Sequence, residues 1–235
     1  MNSPLSFRSA AATVAVTLTA LTQVVYSQAP AAQGGQARAA AAQQAPSGVQ
    51  RFEARTGGST HISFRSDAPL ETLDGVTSVA TGNFTVNLDH PNQQATGRIE
   101  TTVASLRTGN DMRDEHLRGD SWLDGAHHPS IVFEITGTDI RGPIRPGRPV
   151  RGRVRGRFTL HGVTKDIVAP VTVRLVPLTS NESDQIGINA DMLRVQAEFK
   201  ILLTDYGISV PSVVRLKVSN EIQIRVDLTT FRTQG

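Results

Sequence analysis

The sequence contains no cysteine. Disulfide bonds, thiol chemistry, cysteine-ligated metal sites and lipid attachment to a cysteine are therefore excluded, and an exported domain of ordinary size does not need disulfides. Aromatic residues are also few, at 5% of the chain, and Trp122 is the single tryptophan. Lysine occurs only three times, so 21 of the 24 basic residues are arginine. Trp122 and the arginines are therefore the side chains that stand out.

The first residues lack the long apolar run of a membrane anchor. Residues 10–25 are uncharged and mostly small or apolar, but this run of about 16 residues is shorter than the ~20 that span a bilayer. Arg8 precedes the run, and Val25 and Ser27 occupy positions −3 and −1 of a signal-peptidase site. We therefore predict a secretory signal peptide over residues 1–27 and a periplasmic or secreted protein, with a retained anchor as the alternative.

Residues 28–48 contain almost only Ala, Gln, Gly and Pro. Such a composition cannot bury enough apolar surface to offset the entropy lost on ordering, so we predict a flexible linker. Residues 49–235 remain, and about 185 residues are enough for one domain with a single core.

The rest of the chain is dominated by alternation of apolar and polar residues, which is typical of half-buried strands. Turn-forming pairs such as Asp74-Gly75 separate the alternating segments. About eight strands result, centred on 62–64, 84–88, 99–103, 131–135, 154–160, 167–175, 195–201 and 222–228. No βαβ spacing is present, so the sheet should be antiparallel. We predict an all-β fold, an eight-stranded antiparallel up-and-down barrel with a short helix covering one end, and a β-sandwich is the alternative.

The inward faces of these strands carry no recurring acid, Lys or His. A cavity lined by Phe, Ile, Val and Leu suits an apolar ligand and does not suit hydrolytic chemistry. An interior filled by side chains is the alternative, which the sequence leaves open. Strand parity and size, together with the tryptophan after the predicted helix, select these ligand-binding candidates: Phe64, Phe84, Ile99, Trp122, Phe133, Phe158, Val171, Val173, Phe199 and Ile224.

Residues 109–133 are the one stretch where alternation gives way to a charged, histidine-containing segment. A short helix is predicted over residues 110–119, with Asn110 or Asp111 as its cap and the glycine at 119 as its stop. A catalytic interpretation would pair His116 with a nucleophilic Ser121. No nucleophile elbow or glycine-rich oxyanion loop supports it, so we predict no catalytic residues and no enzyme activity.

A metal site in the same segment would use His116, His127, His128 and Asp124. No two of these histidines have the i, i+4 spacing of a helical zinc site, and adjacent histidines before a proline rarely chelate together. We therefore predict no metal and no cofactor. The helix and Trp122 are interpreted as the cover of one barrel end.

Three motifs carry a resemblance to a known family. The first is Arg113-Asp114-Glu115-His116-Leu117-Arg118, followed by Trp122-Leu123-Asp124 and His128-Pro129. The second is Gly156-Arg157-Phe158-Thr159-Leu160-His161-Gly162-Val163-Thr164-Lys165. The third is Thr204-Asp205-Tyr206-Gly207-Ile208. In order and spacing the motifs are similar to those of the YceI-like family of exported, lipocalin-like barrels. The resemblance extends from about Phe52 to Leu228.

The resemblance implies a lipocalin-like barrel that carries or sequesters an apolar long-chain ligand, such as a polyisoprenoid or a fatty acid derivative. The chain departs from the family pattern at three places. Leu123 replaces one aromatic residue, and His128 stands where an aromatic is usual. The segment Ser66–Val76 is more acidic than its counterpart in the family. If this segment surrounds the mouth of the barrel, the ligand can differ from a polyisoprenoid.

Arginines are concentrated on one predicted strand, where Arg151, Arg153, Arg155 and Arg157 alternate with small or apolar residues. On a strand these four side chains share one face at ~7 Å spacing, while Val154 and Phe158 point to the other face. We call these four residues the arginine ladder. One interpretation is a solvated outer face of the barrel, and the alternative is a docking surface for the anionic phosphates of a membrane.

Taken together, the sequence predicts an exported lipid-binding protein whose partner is an apolar lipid. Peripheral contact with an anionic membrane surface is expected if the ladder docks, and nucleic acid is not expected as a partner. Pairing of two copies along an exposed strand, as a homodimer, is left open. One alternative is a ligand-free structural or stress-response interaction module with a filled barrel. Another is a lipid-modifying enzyme, which would need a polar group converging inside the barrel.

Overall fold

The computed structural model describes residues 47–57, 59–179, 181, 185 and 190–233, so the predicted signal peptide and nearly all of the predicted linker lie outside the described residues. The strands are β1 Val49–Ala54, β2 His61–Asp67, β3 Thr72–Thr77, β4 Thr81–Asn87, β5 Ala95–Thr102, β6 Ser130–Thr138, β7 Val150–Leu160, β8 Val163–Val176, β9 Met192–Leu202 and β10 Glu221–Arg232. Helix α1, Asp111–Arg118, follows β5, and short 3-10 turns cover Val103–Ser105, Leu203–Tyr206 and Ser212–Val214. Among the described residues, no helix combines the length and the apolar character needed to cross a bilayer.

The described strands form one antiparallel sheet that closes on itself. Sequence neighbours pair from β4 through β10, and β1 pairs with both β4 and β10. On one edge of β10, residues 230–232 pair with β1 and residues 222–227 pair with β2. β1 and β2 therefore lie end to end as one interrupted strand, and β3 and β4 lie end to end beside them. Ten segments thus make an eight-stranded up-and-down barrel, which confirms the predicted fold.

The alternation pattern misses β1 and β3 and wrongly places a turn at Asp74-Gly75. Both residues lie inside β3, where Gly75 pairs with Phe64 of β2. A Cβ atom on Gly75 would lie 2.1 Å from Cζ of Phe64, so the absent side chain makes room for the ring. Glycine within a strand often marks such a close approach, and the local sequence does not distinguish this role from a turn.

One end of the barrel is sealed by apolar side chains. The connection between β6 and β7 folds inward there and buries Ile144 completely, together with Leu88 and Leu175. The N–H of Ile144 donates to the carbonyl of Leu88 at 2.7 Å, which satisfies the backbone of this inserted loop. We call this the sealed end of the barrel.

The opposite end, which we call the helix end, is covered by α1 and the residues that follow it. The N-cap of the helix is Asn110, whose side chain accepts a hydrogen bond from the N–H of Arg113 at 3.1 Å. The helix ends before Gly119, whose N–H returns to the carbonyls of Glu115 and His116. The short helix predicted from the capping residues is therefore confirmed.

Replacing Gly75 by Ala should lower the free energy of unfolding by about 1–3 kcal/mol, because the added methyl group overpacks against Phe64. In a Phe64→Leu background the same substitution should cost less, since the smaller side chain leaves room. Urea denaturation of the four proteins measures both effects. Equal costs of Gly75→Ala in the two backgrounds would contradict the proposed contact.

Candidate functional site

The barrel encloses a cavity of about 490 Å³. This volume falls within the roughly 300–1,000 Å³ that is usual for small-molecule sites. The nine residues predicted from strand parity and the added Trp122 all lie on its wall: Phe64, Phe84, Ile99, Trp122, Phe133, Phe158, Val171, Val173, Phe199 and Ile224. The structure therefore brings these side chains together, and their contact with a ligand stays a prediction.

Aromatic side chains form a continuous group on one side of the cavity. The ring of Phe199 lies 6.3 Å from Phe133 and 5.4 Å from Phe158, and Phe158 lies 5.8 Å from Tyr206. Tyr206 is fully buried, and burial raises the pKa of its hydroxyl to about 12. Phe133 and Phe199 point inward yet are only half-buried, because one side of each ring faces the cavity.

Three pieces of chain surround the mouth of the cavity at the helix end. They are α1, the turn joining β2 to β3, and the segment 212–218 that precedes β10. Arg113 of α1 and Glu71 of the turn form an ion pair at 3.0 Å, and both line the cavity. The N–H of Leu70 donates to the carbonyl of Leu216 at 2.8 Å. His116 and Lys217 also line the cavity, so this end is the charged one.

Four large apolar side chains around this mouth are exposed to solvent. Met112 is 67% exposed, Leu70 69%, Leu216 58% and Val213 89%. A single exposed apolar residue is ordinary, but a group of them at one place indicates a contact surface. We call these four residues the apolar rim. The sequence analysis did not identify them, because they come from three segments with no shared periodicity.

The start of α1 is fixed by a buried carboxylate. Asp114 is 2% exposed and accepts hydrogen bonds from the N–H and the hydroxyl of Thr108 at 2.7 and 2.6 Å. Arg118 lies 3.8 Å from the second oxygen, the predicted i, i+4 pair. The hydroxyl of Thr108 is the main cause that lowers the pKa of Asp114 below its ordinary value, against the opposing effect of burial.

The residues considered for catalysis are not joined into a catalytic unit. His116 lines the cavity, whereas the hydroxyl of Ser121 donates to the neighbouring Asp120 at 3.2 Å. Among the described residues, no hydrogen bond links His116 to Ser121. In the part of the chain that the structure describes, His116 therefore does not activate Ser121 as a nucleophile.

The arginine ladder lies on the outer face of β7, opposite the inward-facing Val154 and Phe158. Its four members are all exposed: Arg151, Arg153, Arg155 and Arg157. Two of them pair within the protein, Arg153 with Asp139 at 2.7 Å and Arg157 with Glu134 at 2.6 Å. Because these acids neutralise part of the ladder, its attraction for external anions is reduced, and docking through it stays a prediction.

Comparison with known proteins identifies related sequences. The family model for the YceI-like domain matches residues 55–230. A UPF0312 protein of Pseudomonas aeruginosa is 26% identical over 127 residues, which cover 54% of this chain and 59% of that protein. A UPF0312 protein of Pseudomonas syringae pv. tomato is 36% identical over 74 residues, 32% of this chain and 35% of the relative. The chain thus spans less than two thirds of the length of these relatives.

Solved structures share the fold at low sequence identity. Burkholderia cenocepacia BcnA is 16% identical, with a TM-score of 0.57 over 72% of this chain and 95% of that chain. A polyisoprenoid-binding domain from Saccharophagus degradans is 15% identical, with a TM-score of 0.57 over 77% and 98% of the two chains. The YceI protein of Campylobacter jejuni is 17% identical, with a TM-score of 0.53 over 68% and 85%.

Replacing Asp114 by Asn should lower the free energy of unfolding by about 1–3 kcal/mol at pH 7, because a charged acceptor of two hydrogen bonds becomes neutral. A lowered folded-state pKa stabilises the fold above the unfolded pKa of about 3.9, and this contribution is lost as the pH falls through the folded pKa. The difference between wild type and variant should therefore shrink from pH 7 to pH 3 in urea denaturation.

The matched control for this prediction is Asp111→Asn in the first turn of the same helix, where the carboxylate is exposed. It should change the free energy of unfolding by less than about 1 kcal/mol, the size of a helix-dipole effect. A cost of Asp114→Asn that is the same at both pH values would show that its charge does not stabilise the fold.

Proposed function

The chain belongs to the YceI-like domain family, and from that premise we propose that it binds a single apolar long-chain lipid inside its barrel. The observation that carries the proposal is the cavity of about 490 Å³, whose strand-borne wall is built mainly from Phe, Ile, Val, Leu and Ala. The solved domain from Saccharophagus degradans is described as polyisoprenoid-binding, which supports the same class of ligand. A polyisoprenoid or a fatty acid derivative fits this chemistry.

The polarity of the cavity orients such a ligand. The sealed end is closed by Ile144 and its apolar neighbours, whereas His116, Lys217 and the Glu71–Arg113 pair lie at the helix end. An amphiphile would therefore place its tail towards the sealed end and its head group at the mouth. Because Glu71 already pairs with Arg113, an anionic head group would meet Lys217 and His116.

The apolar rim gives the lipid a route into the barrel. Exposed Leu and Val side chains at a mouth can contact the acyl region of a membrane surface while a lipid passes into the cavity. We place membrane contact at this rim rather than at the arginine ladder, since the ladder lies on the side wall and is partly neutralised. A periplasmic or secreted location, as the first 27 residues predict, would let the protein carry or sequester lipid outside the cytoplasm.

Binding rather than catalysis is the function proposed. An enzyme would need a nucleophile or an acid and a base converging on the cavity, and His116 and Ser121 form no such pair among the described residues. A solid interaction module would need a filled interior, whereas inward-facing Phe133, Phe199 and Ala197 are only half-buried. Lipid binding is therefore the function that the interior supports best.

The direct test is organic extraction of the purified protein followed by mass spectrometry. A lipid recovered at about one molecule per chain is the expected result, and reconstitution with a polyprenol or oleate should restore it after delipidation. A protein that is empty on purification and takes up neither probe would overturn the proposal.

Two residues on neighbouring strands provide a matched pair of variants. Ala197 of β9 lines the cavity and is half-buried, whereas Val168 of β8 points outward and is 56% exposed. Ala197→Leu should weaken binding of a fluorescent fatty acid by roughly tenfold or more, because each added methylene occupies ligand space at ~0.8 kcal/mol per group. Val168→Leu should leave the affinity unchanged. If Ala197→Leu does not fold, Ala197→Val replaces it, and equal affinities of the inward and outward variants would contradict the proposed site.

Trp122 allows a second measurement, because it lines the cavity and is the sole tryptophan of the chain. Lipid packed against the indole should shift its emission to shorter wavelength in proportion to occupancy. The control is a polar solute of similar size, which should leave the spectrum unchanged. An emission spectrum that is identical with and without saturating lipid would exclude Trp122 from the binding surface.

A further inference from the structure

A second cluster of polar side chains lies at the helix end, among residues that do not line the cavity. There the loop after α1 meets the turn between β7 and β8. One ligand atom from each of Asp124, His128 and His161 lies within 4.8 Å of the other two, and all three residues are half-buried. We propose that these three residues bind a divalent transition-metal ion of the Zn²⁺ type. None of the three residues lines the cavity, so the metal site does not require a lipid in the barrel.

One ring nitrogen of His161 has a partner in the protein, and the other is available for a metal ion. Its Nδ1 lies 3.0 Å from the carbonyl oxygen of Tyr206. A carbonyl can only accept, so in the neutral imidazole Nδ1 carries the proton and Nε2 keeps its lone pair. Histidines that bind metals usually donate their other ring N–H to a carbonyl or carboxylate in this way. The 3-10 turn that contains Tyr206 therefore supplies the outer support for this ligand.

Asp124 and His128 are held by the backbone of their loop. The N–H of Asp124 donates to Gly119 at 2.9 Å, and the carbonyl of Asp124 accepts from the N–H of His128 at 2.8 Å. The ring of His128 packs on the turn of β7 and β8, 5.0 Å from the ring of His161. Gly162 permits this approach, since a Cβ there would lie 2.6 Å from the His128 ring.

The backbone tolerates these residue types without requiring them. Among the described residues, Asp124 and His161 are the non-glycine positions with positive φ, at 44° and 50°. Aspartate, asparagine and histidine are the non-glycine residues most often found in this conformation. His161 and Gly162 form the two-residue turn between β7 and β8, where asparagine or glycine would satisfy the backbone equally well or better. An imidazole at position 161 is therefore compatible with the turn and leaves its Nε2 available for a further role.

The ligand set suits a borderline metal ion. The chain has no cysteine, so the donors are two imidazoles and one carboxylate, which are ligands of Zn²⁺, Cu²⁺ and Ni²⁺. A tetrahedral Zn²⁺ holds its ligand atoms about 3.3 Å apart, so side-chain rotations of roughly an ångström would complete the set. His127 is 78% exposed and its Nδ1 lies 2.9 Å from the Asp124 carboxylate. It marks the solvent side, where an ion can enter and water can fill a fourth position.

Spacing along the sequence does not indicate this site, because residues 109–133 contain only two of its three ligands. The cluster omits His116, which lines the cavity instead, and recruits His161, which follows His128 by 33 residues. Trp122 and Leu123, which cover the cavity, immediately precede Asp124. A bound ion would therefore fasten the cover of the helix end to the barrel wall.

The test is Zn²⁺ titration by isothermal calorimetry, using the purified chain without an affinity tag after dialysis against a chelator. We expect one Zn²⁺ per chain and a rise in unfolding temperature with Zn²⁺. His161→Asn keeps a favourable turn residue and Asp124→Asn keeps a residue that tolerates positive φ, so both should fold. Each should weaken Zn²⁺ binding at least roughly tenfold.

The control is His90→Asn, which removes an exposed histidine at the sealed end and should bind Zn²⁺ like the wild type. Co²⁺ should give the intense visible absorption of a tetrahedral site in the wild type and in His90→Asn, and lose it in His161→Asn. A wild type without stoichiometric Zn²⁺ binding, or a His161→Asn variant with wild-type affinity, would overturn the proposal.

Discussion

Closure of the sheet along β10 is the constraint on which the rest of this structure depends. That strand has β9 on one edge and shares its other edge between β1 and β2, so one strand completes the barrel with two partners. Without this pairing the inward Phe and Ile side chains would lie on an open sheet exposed to water. With it, they surround an apolar space. Burial of an apolar ligand there would be favourable, because apolar surface is removed from water. Closure also pairs both edges of β1 and β10, which as open edges would invite association, while β3 keeps β2 as its one strand partner among the described residues.

The two ends of the barrel differ in the side chains that line the cavity, apolar at one end and partly charged at the other, and this gives the molecule a direction. The sealed end is built on apolar packing around Ile144, which no small rearrangement can open without exposing a buried side chain. The helix end depends on hydrogen bonds and ion pairs, such as Arg113 with Glu71, whose side chains are about one third exposed. Exposed pairs of this kind contribute little free energy, and this is the end at which we propose that a ligand enters.

The loop after α1 connects the two proposed sites. Trp122 and Leu123 point into the barrel, whereas Asp124 and His128 turn towards the β7–β8 turn. One short segment therefore presents an apolar face to a lipid and a polar face to a metal ion. Two backbone hydrogen bonds, from Leu123 to Leu117 and from Gly125 to Arg118, attach this loop to α1. Both proposed sites therefore share one segment of chain.

Strand periodicity in the sequence was enough to predict an antiparallel sheet of about eight strands and most of its inward residues, because alternation is a local property that does not depend on the partner strands. The candidate caps Asn110 and Asp111 likewise predicted the start of α1 to within one residue. Folding is what places Gly75 beneath Phe64 instead of in a turn, since the two roles look identical in the sequence. It also leaves the interior hollow, which depends on the summed volume of residues from eight strands. Finally, it brought His161 to Asp124 and His128, because such proximity follows from strand pairing rather than from spacing along the sequence.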